Sequence, residues 1–429
     1  MRDLILAPII LWLCVSAIRR PWIGVMGWTW ISLMNPHTFT WYLNSLPVAA
    51  AVAGSTLLGI LITKDRRDFS LTPETSVLLA FMLWICLTLP FSFDIDDSLI
   101  MWKRVMKIDF MILISLVVLY SKRHLLTFTW VVVGSIGFYG IKGGLFTLLT
   151  GGAYLVWGPA GTFIEGNNEL ALAMIVITPL FRFLQLQTTS IWGKRAITAA
   201  ILLCIAAALG SHSRGALLAL AAMAMALWWY GGRQLGVFLG IAFVSAAALM
   251  FLPEQWFSRM NTIGDYQSDA SAMGRINAWW MAWNLASDRF FGGSFSIYDL
   301  NVFGRYAPDP TDIHAAHSIY FQVLGEHGFV GLLLFMTLWL LVWRNAGKLR
   351  QEAKKEPSAE WLSDLGAMCQ VSLVGYAVGG AFLSLAYFDL PYNILIMVVV
   401  SRRWIKRRAW LETEELEASL PKAKKVLAT

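Results

Sequence analysis

Long apolar stretches separated by short polar connections run along almost the whole chain. They lie at 4–18, 22–34, 46–63, 75–91, 105–120, 125–149, 168–186, 195–211, 214–230, 234–252, 319–343, 366–386 and 390–401. Most of them approach the length that an α-helix needs to cross a hydrocarbon core of about 30 Å. The pattern therefore predicts an all-α fold, a polytopic transmembrane helix bundle of about twelve spans.

One long polar stretch, 253–317, interrupts this pattern. At about 65 residues it is too long to be a simple connection. It contains four arginines but no lysine. We therefore divide the chain into an N-terminal transmembrane bundle (1–252), a loop with short amphipathic helices (253–317), C-terminal transmembrane helices (318–401) and a tail (402–429).

Composition and charge support a membrane protein and orient it. The 429 residues are 57% hydrophobic and 14% charged, whereas soluble domains have about 25% charged residues. The net charge of +7 comes from lysines and arginines that cluster in alternate connections. By the positive-inside rule these connections face the cytoplasm, so the loop 253–317 faces outward and the C-terminus is cytoplasmic. Because topology accounts for the basic charge, we expect the lipid bilayer as a partner and no nucleic acid.

A short connection, Ser211-His212-Ser213-Arg214, joins two predicted spans at the outer face. Arg214 would begin the next helix, where backbone N–H groups and the helix dipole favour an anion. Its guanidinium can donate two hydrogen bonds to one phosphate, and Ser213 lies beside it. The alternative is an arginine at a span end that only orients the helix.

A second arginine, Arg275, lies within the long loop. Ile276, Trp279, Trp280 and Trp283 follow it at helical spacing, which predicts an amphipathic helix whose apolar face lies on the bilayer or the bundle. Arg275 would occupy the first turn, again a position suited to an anion. The alternative is a solvated arginine on an interfacial helix.

Two histidines, His314 and His317, stand just before the chain returns to the membrane. On a helix, residues three apart share a face. One hypothesis is a general base for a sugar hydroxyl or a partner for a phosphate, and another is a histidine that is hydrogen-bonded at the interface. No further cluster completes a metal site with them, so we predict no metal and no cofactor.

Further polar residues at the predicted outer face are candidates for substrate binding. Glu165 and Asn168 precede a span and would bind sugar hydroxyls or cap the helix. Lys142 lies within an apolar stretch, which is a costly position for a charge. Lys103 and Arg104 follow an acidic turn on the outer side, against the positive-inside trend, and could meet phosphates. Together these residues indicate an outward-facing cationic cavity beside the lipid, which suits a polyprenyl diphosphate sugar.

Four motifs resemble the O-antigen ligase/polymerase superfamily of multispanning GT-C glycosyltransferases. They are GTFIEGNNELA at 161–171, SRGALLALAAM at 213–223, GRINAWWMAW at 274–283 and HSIYFQVLGEHGFVGLLLF at 317–335. The opening segment, RRPWIGVMGWTWISLMNPHTFTW at 19–41, resembles the O-glycosylation ligases associated with exosortase systems. The order of the motifs and the long loop before the histidine also match.

The resemblance implies transfer of a glycan from undecaprenyl diphosphate to an acceptor hydroxyl, without a metal and with inversion. It implies that Arg214 and Arg275 bind the diphosphate leaving group and that His317 activates or positions the acceptor hydroxyl. It also implies the bacterial inner membrane, with the active site facing the periplasm. The role of His314 and the nature of the acceptor, which is a lipid, a protein or a polysaccharide in this superfamily, stay open.

Two alternatives remain beside a ligase. A polysaccharide polymerase of the same superfamily would extend the glycan itself. A transporter of lipid-linked saccharide would need ionisable residues near the membrane midplane and broken helices in symmetric halves. Here the charged residues crowd one predicted face, and the two halves show no symmetry.

Overall fold

The computed structural model describes residues 2–64, 67–230 and 270–411, together with residues 236, 239 and 240. Throughout these residues the regular structure is helical, as predicted, with no strand. The helices are α1 (Arg2–Arg19), α2 (Pro21–Met34), α3 (Val48–Ile62), α4 (Pro73–Thr88), α5 (Ile95–Val118), α6 (Lys122–Leu149), α7 (Asn167–Gln187), α8 (Ile191–Gly210), α9 (Arg214–Tyr230), α10 (Ala270–Asp288), α11 (Leu300–Tyr306), α12 (Ile319–Ala353), α13 (Glu360–Gly380) and α14 (Asp389–Lys406). Short 3-10 turns lie at Pro36–Phe39, Leu43–Ser45, Leu89–Phe91 and Pro357–Ala359.

Polar residues begin several helices where the apolar stretches start. Asp94 caps α5 by accepting hydrogen bonds from the backbone N–H groups of Asp96 and Asp97. Ser121 caps α6 and Ser190 caps α8 in the same way. Each side-chain oxygen satisfies N–H groups that have no partner within the helix. The polar connections therefore fix where these apolar helices begin.

Among the residues that the structure describes, five helical segments are long and apolar enough to cross a membrane. They are Pro73–Phe91, Lys122–Leu149, Asn167–Gln187, Ile191–Gly210 and Ile319–Ala353. Two further apolar helices, Val48–Ile62 and Arg214–Trp229, are shorter. The count of about twelve spans stays a prediction. The predicted span 234–252 and the start of the long loop lie outside the described residues, apart from residues 236, 239 and 240.

The apolar stretch 366–386 does not form one helix. α13 ends at Gly380, and residues 381–388 turn before α14 begins at Asp389. Hydrophobicity does not predict the end of α13, because the turn that follows is as apolar as the helix. The turn is largely buried, and irregular backbone at membrane depth is tolerated where protein surrounds it. This buried turn lines the candidate site.

The helices run in alternating directions, so the bundle has two chemically different ends. At one end Arg403 donates hydrogen bonds to the backbone carbonyls of Leu116 and Leu119 and pairs with Asp68. This basic end also holds Lys122 at the start of α6. The opposite end holds the starts of α7, α9, α12 and α14, and all of the candidate site.

Candidate active site

The turn between α8 and α9 is buried and held from two sides. Asn167 at the start of α7 donates a hydrogen bond to the carbonyl of Ser211 (2.7 Å). The Nε2 atom of His212 lies 2.9 Å from the carbonyl oxygen of Gly152. His212 has a φ of 55°, a left-handed conformation that lets the chain reverse within three residues. The turn is therefore a rigid support for the first residues of α9.

Arg214 begins α9, as the sequence predicted. The Ser213 hydroxyl accepts a hydrogen bond from the backbone N–H of Ala216 (3.2 Å), so Ser213 caps the helix. Arg214 is thus the first residue of the helix, at the end where the backbone already carries partial positive charge.

Arg275 lies in the second turn of α10, because the helix begins at Ala270. The predicted first-turn position was therefore wrong. α10 packs on α12, and Ala278, Met281 and Leu285 of this helix are fully buried. Burying small and aliphatic residues lets the two helices approach closely.

α10 also positions the segment that carries the histidines. The side-chain amide of Asn277 donates hydrogen bonds to the carbonyls of Asp309 (2.8 Å) and Asp312 (2.9 Å) and accepts one from the N–H of Asp309 (2.9 Å). The indole N–H of Trp279 donates to the carbonyl of Ala316 (2.7 Å). Arg275 and the histidine segment are consequently fixed to one helix.

Four of the predicted site residues, Asn168, Ser213, Arg214 and Arg275, line one cleft, which we call the arginine cleft. The residues that complete its lining are His212, Gly215, Phe382 and Leu383. They come from α7, the α8–α9 turn, the start of α9, α10 and the buried turn after α13. Residues far apart in the sequence therefore form one small polar cleft at the N-terminus of α9.

His317 lies beside this cleft and is half-buried. Its Nδ1 atom is buried and has no hydrogen-bond partner among the described residues. Burial, followed by the charges of Arg275 and His314, lowers the pKa of His317 to about 4. The imidazole is therefore neutral at neutral pH and can accept a proton.

His314 and His317 do not share a helix face. Their segment is not helical, and His317 has a φ of 41°. His314 is exposed and its Nε2 lies 2.8 Å from Asp312 Oδ1. The His314 ring packs so closely on Gly274 that a Cβ there would lie 2.3 Å from its Cδ2 atom. The two histidines are therefore placed by loop contacts, which their spacing did not predict.

Glu169 belongs to the site although the sequence did not single it out for binding. It lies in the first turn of α7, and its carboxylate interacts electrostatically with Arg275. The sequence feature that could have indicated Glu169 is its position in the motif at 161–171. The carboxylate supplies a counter-charge that would hold Arg275 in place before an anion binds.

The other predicted binding residues lie outside the arginine cleft. Lys103 and Arg104 line a second cleft, and Lys142 lines a third, next to Trp157. Glu165 accepts a hydrogen bond from the N–H of Gly161 (2.8 Å) and so closes a local turn. Spacing along the chain could not separate these surfaces.

Glu326 and His327 form a buried polar group inside α12. Tyr387 donates a hydrogen bond to Glu326, and the Thr88 hydroxyl lies 2.8 Å from His327 Nδ1. The helix breaks next to them, at Gly328, which has a φ of 66°. Both residues therefore have partners in the helix packing. Across the described residues no group of three or more His, Cys, Asp or Glu side chains is arranged to hold a metal ion.

Comparison with known families bears directly on this arrangement. Residues 199–336 match the O-Antigen ligase family. This O-antigen ligase domain includes Arg214, Arg275 and His317. Residues 1–189 match a family of unknown function, DUF5935, and include the segment with Asn168. No curated protein matches the chain significantly.

The O-antigen ligase match supports the superfamily that the motifs resemble, and with it a glycosyl-transfer function of the ligase and polymerase kind in a membrane protein. It covers three of the four predicted site residues in the arginine cleft, Ser213, Arg214 and Arg275. The remaining walls come from α7 and from the turn after α13, outside the matched residues. The site is therefore assembled from the O-antigen ligase domain and the helices that flank it.

Proposed function

We propose that the protein is a glycosyltransferase of the O-antigen ligase kind. It transfers a glycan from undecaprenyl diphosphate to an acceptor hydroxyl, without a metal and with inversion at the anomeric carbon. The protein lies in the bacterial inner membrane, the arginine cleft faces the periplasm and the C-terminus is cytoplasmic. The motif at 19–41 favours the exosortase-associated O-glycosylation ligases within this group.

The observation that carries the proposal is the meeting of Arg214 and Arg275 in one cleft, with His317 beside them. Arg214 begins α9 and Arg275 lies on α10 within the long loop, yet both line a cleft at a helix N-terminus. A cleft of two guanidinium groups and a helix N-terminus suits a diphosphate.

In the proposed reaction the acceptor oxygen forms a bond to the anomeric carbon while the bond from that carbon to the diphosphate oxygen breaks. The proton of the acceptor hydroxyl passes to His317. Arg214 and Arg275 stabilise the negative charge that grows on the departing diphosphate, which is a task that cationic donors perform in a water-poor site. The bound diphosphate also offsets the charge of Arg275, and this makes His317 a stronger base when the donor is present.

A polymerase would use the same cleft, since only its acceptor differs. Transport is less consistent with the described residues, because Arg214, Arg275 and His317 all lie at one end of the bundle. Substrate-binding residues at the midplane are typical of transporters.

The test is glycan transfer by the purified protein in detergent with EDTA, supplied with undecaprenyl diphosphate-linked glycan and cell-envelope acceptors. We expect Arg214→Gln, Arg275→Gln and His317→Ala each to lower kcat/KM by about 100-fold or more. Arg305→Gln is the matched control, since Arg305 is exposed on α11 outside the cleft. Transfer that needs a divalent metal, or variants as active as wild type, would overturn the proposal.

A further inference from the structure

A second cleft, lined by cations, lies at the same end of the bundle as the arginine cleft. Its cavity has a volume of about 420 Å³. Lys103, Arg104 and Lys107 on α5 provide its positive charge, while α2 and the segment 162–164 provide much of the rest of its wall. We call it the basic cleft.

Two chain segments separate the clefts, and each contributes to both. Phe163, in the segment before α7, lines the basic cleft, and Asn168, at the start of α7, lines the arginine cleft. In the turn before α14, Phe388 lines the basic cleft and Phe382 the arginine cleft. The two clefts are therefore neighbours with a common wall.

The basic cleft keeps a net positive charge that is open to a ligand. Lys103 and Lys107 are exposed, and no ion pair or hydrogen bond occupies either of them among the described residues. Arg104 lies 3.9 Å above the ring of Phe163 and interacts with the buried Asp389. The Asp389 carboxylate thus offsets Arg104, and the described residues that line the cleft include no carboxylate to offset Lys103 and Lys107.

The cleft also offers neutral donors and an apolar wall. His37 lines it, and burial lowers the pKa of His37, so the ring is neutral. The His37 Nδ1 atom is buried without a hydrogen-bond partner among the described residues. Trp28, Ile31 and Ile100 form part of the wall. Cations beside such a wall suit a ligand that has both a phosphate and a hydrocarbon chain.

We propose that the basic cleft binds the phosphate headgroup of an amphiphile other than the glycan donor. The ligand is an anionic membrane phospholipid. The assignment of the arginine cleft as the donor site rests on the proposed function. Lipid binding by the basic cleft does not depend on that assignment. A common wall would bring a second amphiphile next to the reacting diphosphate.

The experiment is native mass spectrometry of the full chain in detergent, titrated with phosphatidylglycerol and, separately, with phosphatidylcholine. We expect phosphatidylglycerol to bind tightly and phosphatidylcholine not to displace it. The double variant Lys103→Gln/Lys107→Gln should weaken the binding of phosphatidylglycerol about 25-fold, since each lysine near an anionic headgroup contributes about a fivefold effect. The control is Lys142→Gln/Arg305→Gln, which removes two positive charges at the same end of the bundle. It should leave the binding of phosphatidylglycerol unchanged.

Farnesyl diphosphate is the second probe and separates the two clefts. Its binding should survive Lys103→Gln/Lys107→Gln and be lost in Arg214→Gln. If the lysine variant leaves phosphatidylglycerol binding unchanged, or loses farnesyl diphosphate as Arg214→Gln does, the proposal is wrong. Displacement of the lipid by an equal concentration of inorganic phosphate would also overturn it. If only Arg214→Gln gives an unexpected result and still binds farnesyl diphosphate, the arginine cleft is not the donor site. The proposal for the basic cleft would be unaffected.

Discussion

At the scale of single residues, the charge of Arg275 couples the state of the arginine cleft to the protonation of His317. Arg275 is one of the causes that lower the pKa of His317, after burial. An anion bound to the arginines offsets that charge. The base is therefore weak in the empty enzyme and strengthens when a diphosphate arrives, which limits proton uptake to the occupied site.

This coupling predicts a specific pH dependence. The proposed reaction needs neutral His317, so kcat/KM should be flat at neutral pH and fall as the pH drops through about 4. Arg275→Gln removes a charge that lowers the pKa, so the acid limb of its residual activity should move to higher pH. Arg275→Lys keeps the positive charge, so its activity should fall at the same acid pH as that of the wild type, even if its rate is lower. A wild-type limb near the ordinary histidine value of about 6.5 would contradict this account.

Gly274 gives a second prediction at this scale. A Cβ at this position would lie 2.3 Å from His314 Cδ2, so Gly274→Ala must push the ring and its loop away from Arg275. We expect kcat to fall by about 10- to 100-fold, because small displacements of a reacting group are costly. Gly304→Ala on α11 is the control, since a Cβ there meets nothing within 4 Å. Equal rates in the two variants would show that this contact does not position the site.

At the scale of elements, the break in α12 joins the loop after α10 to the bundle. Gly328 leaves the helical conformation, and the carbonyls of Gly325 and Glu326 accept hydrogen bonds from Gly293 (3.0 Å) and Ser294 (2.7 Å). The glycine-rich motif that follows His317 is therefore a docking point for the loop.

Gly328→Ala tests this docking point. Gly328 has a φ of 66° and a ψ of −172°, and a Cβ would lie 2.4 Å from the carbonyl oxygen of Phe290. The backbone conformation alone costs an alanine about 1–3 kcal/mol. We expect a lower Tm and faster proteolysis within residues 288–300. Gly134→Ala in α6 meets nothing within 4 Å and should leave both unchanged. A variant as stable as this control would mean that the break is dispensable.

The sequence predicts such elements unevenly, for physical reasons. The start of α9 follows from polar residues between two apolar stretches, and it was predicted correctly. For α10 the sequence left open whether the apolar face lies on the bilayer or on the bundle; in the structure Trp280 and Trp283 are exposed while Ala278 and Met281 are buried. In a membrane protein both the lipid-facing and the protein-facing sides are apolar, so periodicity does not tell them apart. The arginine cleft depends on packing between distant segments, which motifs suggest only through resemblance.

At the scale of the whole molecule, the two ends of the bundle differ in charge and in chemistry. The basic end holds Arg403 among backbone carbonyls, and Arg402 paired with Glu352 (3.0 Å). The other end holds both clefts. The positive-inside rule predicts that the basic end faces the cytoplasm, and the clefts would then face the periplasm, as the proposed function requires.

Cysteine labelling in intact cells tests this orientation. In a chain whose four native cysteines are replaced by alanine, Gly304→Cys places a thiol at the site end, and Lys354→Cys places one at the basic end. Both positions are exposed. A membrane-impermeant maleimide should label Gly304→Cys once the outer membrane is opened, and Lys354→Cys only after lysis. The reverse pattern would put the clefts in the cytoplasm and rule out a periplasmic donor. Labelling of both thiols before lysis would mean that the two ends do not lie on opposite sides of the membrane.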